Sequence, residues 1–268
     1  MANIHATAVV DPSATLGADV TIGPFCMVGG DVTLGDGVTL QSHVVVTGRT
    51  TLGKGSKVFP FASIGEPPQD TKYKGEDTQL IIGEQTVIRE HVTIHIGSVG
   101  DDQKTVIGDR CMFMVGSHIA HNCKLGDNVL LVNNATLGGH VHLANNVIVG
   151  GLSAIHQFVR VGEGAMVGGM TGVTADLIPF GMAIGDRASL SGLNIVGLKR
   201  QGVPREEIHQ LRQAYRELFG PENNLAQRCT KVEETFGQNP RVKKILDFIR
   251  SDTDRQFLTP SHGGSNGH

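Results

Sequence analysis

A six-residue period constrains this chain more than any other feature. From Ile107 the residues six apart are Ile107, Phe113, Ile119, Leu125, Leu131, Leu137, Leu143, Val149, Ile155, Val161, Val167 and Val173, all large and apolar. The fifth place of each hexad carries a small or compact side chain, beginning Cys111, Ser117, Cys123, Val129 and Ala135. The third and fourth places gather Gly, Asp and Asn, among them Gly116, Asn122, Asn128, Asn134 and Asn146. These residue types tolerate the left-handed backbone of tight corners. One large apolar residue, one small residue and one corner in every six describe a parallel β-helix, a chain wound as a solenoid.

The period starts at Ile4, runs to Ile64, resumes at Ile82, Ile88 and Ile94, and resumes again at Ile107, making 26 hexads in all. Hexapeptide-repeat proteins, which this pattern resembles, close one triangular coil with three hexads, so between eight and nine coils are expected. The interruptions GEPPQDTKYKGEDTQLI and GSVGDDQKT read as loops thrown out from corners. Beyond Val173 the period fades and becomes helical. Ile208, Leu211, Tyr215, Leu218 and Phe219 form one apolar stripe, with Pro204 in the first turn and Gly220 as the stop. Leu225, Cys229, Val232 and Phe236 form a second, and Val242, Ile245, Leu246 and Ile249, opened by Asn239 and Pro240, a third. The expected organisation is a left-handed parallel β-helix over residues 1–190, with excursions near 66–81 and 97–106. A C-terminal helical domain over 191–258 and a disordered tail over 259–268 complete it. The helices would cap the open end of the solenoid.

Composition agrees with narrow, repetitive packing: Gly 36, no Trp and 4% aromatic residues. A formal net charge of −3 gives no reason to expect nucleic acid. The residues after 190 carry 12 Lys and Arg against 9 Asp and Glu, a basic balance suited to an acidic partner or to ordinary solvated helix faces. Cys26, Cys111 and Cys123 occupy fifth hexad places and Cys229 a helix, with no metal or disulfide spacing. The N-terminus lacks the pattern of a signal peptide and no apolar run is long enough to span a membrane. A reduced, cytoplasmic protein that is not integral to the membrane is expected.

The chemistry concentrates at His118, His121, His140 and His156. With 18 residues per coil, His121, Gly139 and Gln157 stack, as do Asn122, His140 and Phe158, so the histidines gather along one corner. Imidazole titrates near neutrality and is a natural general base. Two other readings stay open at this level: solvated corner residues on a non-catalytic scaffold, and a zinc site built from HxxH and a third imidazole, as in a zinc-dependent hydratase.

The segments IGPFCMVGG, SHVVV, FASIGEPPQDTKYKGE, VTIHIG, SHIAHNC, NNATLGGHV, IHQF, VGG and NIVGLKR occur in this order. The set resembles the acyl-carrier-protein-dependent UDP-N-acetylglucosamine O-acyltransferases of lipid A synthesis across roughly residues 3–255. The resemblance implies transfer of a 3-hydroxyacyl chain from acyl carrier protein to the sugar 3-hydroxyl, or to a 3-amino sugar in a related reaction, with no metal or organic cofactor. It implies His121 as the base and the Gly139 N–H as oxyanion donor. Gln69, Asp70, Lys72, His95, His118, His140, His156 and Gln157 would contact sugar or acyl groups, Asn194 and Arg200 the nucleotide, and Gly169 would set acyl length. It further implies a homotrimer with active sites between subunits. One departure stands out: many members follow the catalytic His with Asp, whereas this chain has Asn122.

Overall fold

The computed structural model describes residues 1–222, 224–251 and 255–261, and within them the hexads become short strands. They stack into three sheets of 11, 9 and 8 strands, each coil giving one strand to each sheet. The first sheet runs from Asn3–Ile4 to Ser189–Leu193, the second from Val9–Val10 to Gly172–Val173, and the third from Thr15–Leu16 to Arg160–Val161. Ile119 pairs with Leu137 and Leu137 with Ile155, which sets the coil at 18 residues.

Most strands are two residues long, and alternation turns one side chain out and one in. The inward one is the large apolar residue: Leu40, Leu52, Ile64, Ile88 and Phe113 are fully buried. Each such residue stabilises the fold by roughly 1.5–3 kcal/mol through burial. The fifth-place residue fills the space beside it. Desolvation pushes the Cys111 thiol up to about 11 and the Cys123 thiol up to about 12, so both serve as neutral core fillers.

The left-handed backbone falls at the fourth place, with φ of 58° at Asn122, 55° at Asn128 and 61° at Asn146. Phe25, His43, Phe61, Leu152, Phe158 and Met170 adopt it too, so the corners are less restricted in composition than the sequence pattern implies. Stacking compensates part of the strain: Phe25, His43, Phe61 and His91 form one ladder with ring centroids 5.0, 5.0 and 5.2 Å apart. Third-place carboxylates and amides form another ladder. Asp109 Oδ1 accepts from the Glu84 N–H, Asp127 Oδ1 from Asp109 N–H and Asn145 Oδ1 from Asp127 N–H, at 2.8, 2.9 and 2.8 Å.

Leu52 pairs with Ile82 and Ile82 with Ile107, separations of 30 and 25 residues where an unbroken coil has 18. The excursions causing this occupy residues 67–78 and 96–103, narrower than expected at their C-terminal ends. The reason is that Gln79–Ile82 and Lys104–Ile107 are four-residue strands paired along their whole length.

The solenoid ends differently from the expected boundary at 190. Gly181–Ile184 pairs parallel with Met166–Val167, and Ser189–Leu193 folds back antiparallel on it, carrying the sheet to Leu193. A short helix not anticipated from periodicity follows, α1 (Ile195–Arg200), opened by Asn194, whose Oδ1 accepts from Gly197 N–H. Then come α2 (Arg205–Leu218), α3 (Leu225–Phe236) and α4 (Pro240–Arg250). Pro204 is the N-cap of α2, one place before the first turn. Helix α2 buries Ile208, Leu211, Ala214 and Leu218. Asn224 and Gln227 form a capping box on α3, and the Asn239 side chain caps α4.

Arg160 of the third sheet ties the helices to the solenoid. Its Nε donates to the fully buried Asp176 carboxylate at 2.7 Å and its Nη1 to Ser251 Oγ at 2.8 Å, with its guanidinium 4.7 Å from the Phe248 ring centroid. Of the expected disordered tail, Thr259 is held against the solenoid, its carbonyl accepting from Leu190 N–H at 3.1 Å. Residues 262–268 lie outside the described residues.

Candidate active site

The corner between the second and third sheets gathers the histidines through backbone register. His118 and Ile119 pair with Thr136 and Leu137, which in turn pair with Ala154 and Ile155. Continuing around the corner, His121 stacks beneath Gly139 and Gln157, and Asn122 beneath His140 and Phe158. The next-coil contacts follow this register: His140 N–H donates to the His121 carbonyl and Phe158 N–H to the Gly139 carbonyl, both at 3.0 Å. His156 falls one place to the other side, above Gly138.

His121 Nδ1 lies 2.9 Å from Asn122 Oδ1. The orientation of that amide follows from its other partners: Oδ1 also accepts from Ser98 N–H at 2.8 Å, while Nδ2 donates to the carbonyls of Ser98 and Gly100 at 3.4 Å. An oxygen therefore faces His121, the proton sits on Nδ1, and Nε2 carries the lone pair. Asn122 is buried and its own N–H donates to Thr105 Oγ1 at 2.9 Å, so the orienter is itself held rigidly. The His121 ring covers Gly139: a Cβ there would sit 2.7 Å from Cε1 and 2.8 Å from Nε2. The Gly139 N–H has no hydrogen-bond acceptor among the described residues, which leaves a donor beside Nε2.

The other histidines are bound in similar ways. His118 Nδ1 lies 2.7 Å from Thr93 Oγ1, and His140 Nδ1 lies 2.6 Å from Asp101 Oδ2. His95 packs edge-on to His118 with centroids 4.9 Å apart, and its buried Nδ1 has no partner among the described residues. Burial, then the neighbouring His118 and His121, pushes the His95 imidazole down to about 4. Burial also lowers His118, followed by His121. The ring of His140 is edge-on to His121 at 5.3 Å and stacked on Phe158 at 4.5 Å.

Both excursions reach this corner. Ser98 Oγ donates to Asp70 Oδ2 at 2.6 Å, and Asp70 Oδ1 accepts from the Lys72 N–H at 3.0 Å. The Ser98 hydroxyl foremost, then the Lys72 backbone, hold the Asp70 carboxyl below its ordinary value. Gln69 and Lys72 stand exposed beside it. His156 and Gln157 are exposed, with His156 Nδ1 3.1 Å from the Gln157 carbonyl.

Asn194 and Arg200 stand apart from this cluster. They line a cavity of about 610 Å³ on the outer face of the first sheet, with Leu130, Ile148, Met166 and Val196. Asn194 is largely committed to structure, since besides capping α1 its Nδ2 donates to the Gly164 carbonyl at 3.0 Å. Gly169 lies on the corner between the first and second sheets. Its φ is not left-handed, and an added Cβ would meet only Gly151 O at 3.4 Å, so the backbone does not require glycine there. Periodicity missed Asp101, Ser98, Thr93 and Thr105; the first two lie in an irregular excursion, where the only signal is a run of polar residues. Among the described residues, no group of three His, Cys, Asp or Glu is arranged to hold a metal ion. None of their helices is long and apolar enough to cross a membrane.

A parallel β-helix of hexads carrying an oriented imidazole beside a free backbone N–H defines a hexapeptide-repeat acyltransferase. The bacterial transferase hexapeptide model matches residues 13–48 and 104–139, and the model of domain 2 of UDP-N-acetylglucosamine O-acyltransferase matches residues 176–258. An acyl-[acyl-carrier-protein]–UDP-N-acetylglucosamine O-acyltransferase of Rhizobium johnstonii is 44% identical over 98% of this chain and 96% of its own. One from Brucella abortus is 48% identical over 99% and 96%. The structure of LpxA from Acinetobacter baumannii superposes with a TM-score of 0.90 at 41% identity, over 96% of this chain and 99% of that one. The Francisella novicida UDP-N-acetylglucosamine acyltransferase gives a TM-score of 0.92 at 33% identity, over 97% and 95%. The chain belongs to the acyl-[acyl-carrier-protein]–UDP-N-acetylglucosamine O-acyltransferase family, and shares its left-handed β-helix.

Proposed function

We propose that this enzyme transfers a 3-hydroxyacyl chain from acyl carrier protein to the 3-hydroxyl of UDP-N-acetylglucosamine, the opening step of lipid A synthesis, with His121 as general base. The observation that carries the reading is the His121 imidazole, oriented through Nδ1 by Asn122 Oδ1 at 2.9 Å and seated over Gly139. Its Nε2 takes the proton of the sugar hydroxyl as that oxygen attacks the thioester carbonyl. The resulting oxyanion receives the Gly139 N–H, a fixed donor for charge absent from the ground state. Collapse of the tetrahedral intermediate breaks the C–S bond, and the imidazolium returns its proton to the departing thiolate. Asn122 orients the ring without supplying the negative charge a carboxylate would add.

Asp70, Lys72, His95, His118, His140, His156 and Gln157 would surround the sugar and acyl groups, with Gln69 beside them, while Gly169 leaves room for the chain's end. Asn194 and Arg200 share no contact with the histidine corner within one chain, which favours a homotrimer in which the two meet across subunits. Exposed apolar side chains at Leu152, Phe158 and Met170 suit burial in such a contact. Arg212, Arg216, Lys243 and Lys244, exposed on α2 and α4, would receive the acidic carrier protein, Lys244 being also paired with Glu163. Reversing their charges should weaken carrier binding and its salt dependence. Four unpaired cysteines are in keeping with the cytoplasm.

The test is acyl transfer from 3-hydroxyacyl carrier proteins of several lengths to UDP-N-acetylglucosamine, after chelation. His121→Ala should lose about 10²–10⁴-fold in kcat with an unchanged melting temperature. Turnover in the variant close to wild type would remove His121 as base. Turnover abolished by chelation in the wild type would revive a metal-dependent reading.

A further inference from the structure

The excursion over residues 96–103 supports both central histidines, bonding His140 directly and bracing Asn122, the partner of His121, and the two supports differ in chemistry. Behind His121 stands a carboxamide, Asn122; behind His140 stands a carboxylate, Asp101, whose Oδ2 lies 2.6 Å from His140 Nδ1. Asp101 sits among Gly100 at φ 92° and Gln103 at φ 57°, itself at φ 44°, a tight run of left-handed residues. The excursion is anchored on three sides. Ser98 N–H and the Ser98 and Gly100 carbonyls bond the Asn122 side chain, and Ser98 Oγ reaches Asp70. Asp102 pairs with Lys124 at 2.6 Å. The His140 side chain is only 14% exposed, held edge-on to His121 and flat against Phe158. Its Nε2 has no partner among the described residues.

We infer that Asp101 is a positioning residue that holds the His140 proton on Nδ1, so that Nε2 presents a lone pair to a hydroxyl group of the sugar nucleotide. The chemistry follows from the pairing. A carboxylate accepts only, so the bond between Asp101 and His140 requires a proton on Nδ1. A free neutral imidazole prefers its proton on Nε2, and without Asp101 the ring would present a donor where the cleft offers an acceptor. His121 and His140 then act alike through Nε2, one accepting the proton of the reacting hydroxyl, the other accepting a hydrogen bond that places the sugar. The role of His140 toward the sugar rests on the acceptor proposed above; the assignment of the proton does not.

The experiment reads the two parts separately. In full-length protein labelled with 15N-histidine, with the His140 signals assigned by their loss in His140→Gln, the wild type should show His140 protonated at Nδ1. Asp101→Ala should move that proton to Nε2 and raise KM for UDP-N-acetylglucosamine about tenfold, the loss of one hydrogen bond, with kcat changed less than about threefold. Asp101→Asn, whose carbonyl can still accept, should restore Nδ1 protonation and most of the affinity. Asp102→Asn, on the neighbouring residue bonded to Lys124, should move neither. An Nδ1 proton that persists in Asp101→Ala overturns the inference, as does a shifted proton with an unchanged KM. A wild type that does not acylate UDP-N-acetylglucosamine, yet shows the proton shift in Asp101→Ala, counts against the acceptor and for the pairing.

Discussion

Gly139→Ala separates the position of the base from every other property of the site. The added methyl carbon would lie 2.7 Å from His121 Cε1 and 2.8 Å from Nε2. Carbon atoms rest at about 3.5–4.0 Å, so the ring must retreat by roughly 1 Å. The way back is closed by Asn122, which is buried and bonded at Oδ1, Nδ2 and its own N–H. The ring therefore swings sideways, and the 2.9 Å bond from His121 Nδ1 to Asn122 Oδ1 is stretched beyond hydrogen-bonding range. A misplacement of about 1 Å in a reacting group costs on the order of 10²-fold in rate. Alanine keeps the backbone N–H, so the proposed oxyanion donor survives, and Gly139 is not among the left-handed glycines, so no backbone strain is added. Steady-state kinetics should show kcat down about 10²-fold, KM for the sugar nucleotide within about threefold, and a melting temperature within about 3 °C of wild type. Turnover within about threefold of wild type would refute the reasoning, because the ring seated over Gly139 could not then be the base.

Three further outcomes are expected. Asp176→Asn leaves Arg160 without the carboxylate it meets at 2.7 Å inside the fold and should cost about 3 kcal/mol in urea unfolding, with limited proteolysis showing the C-terminal helices released first. Gly169→Met, at a position where a Cβ meets only Gly151 O at 3.4 Å, should fold normally and shift donor preference toward shorter acyl chains; an unchanged length profile would dismiss Gly169 as the acyl-length determinant. Finally, His95 is pushed down to about 4 by burial, below its unfolded value near 6.5, so the unfolded chain binds the proton first as pH falls. Its stabilising contribution is complete above pH 6.5 and is lost between about 6.5 and 4, a change on the order of 3 kcal/mol. His118, lowered in the same direction, adds to it. Denaturant melts across that window should show a slope that His95→Gln flattens; an equal slope in the variant would assign it elsewhere.

The sequence by itself determined the winding. A strict period with one large and one small apolar residue calls for a solenoid that buries both. The 18-residue coil that stacks His121 under Gly139 came from the likeness to hexapeptide-repeat proteins, because the period does not set the number of hexads per coil. The helices α2, α3 and α4 were legible too, since caps and stripes are local. Local signals failed where tertiary pairing took over. Strand pairing in the third sheet trimmed the excursions to 67–78 and 96–103, and an antiparallel return carried the first sheet to Leu193. The corners accept Phe25 and Met170 in a conformation that composition reserves for Asn and Gly. The site divides along the same line. Which histidines share a corner is a matter of register, and register is periodic. Which atom of an imidazole holds the proton depends at His121 on Asn122, the next residue of the same coil, whose amide is turned by Ser98 and Gly100 of an irregular excursion, and at His140 on Asp101 of that excursion. No period encodes those contacts. Only the folded chain, with its excursions seated against the corner, decides which nitrogen of each ring is left unpaired.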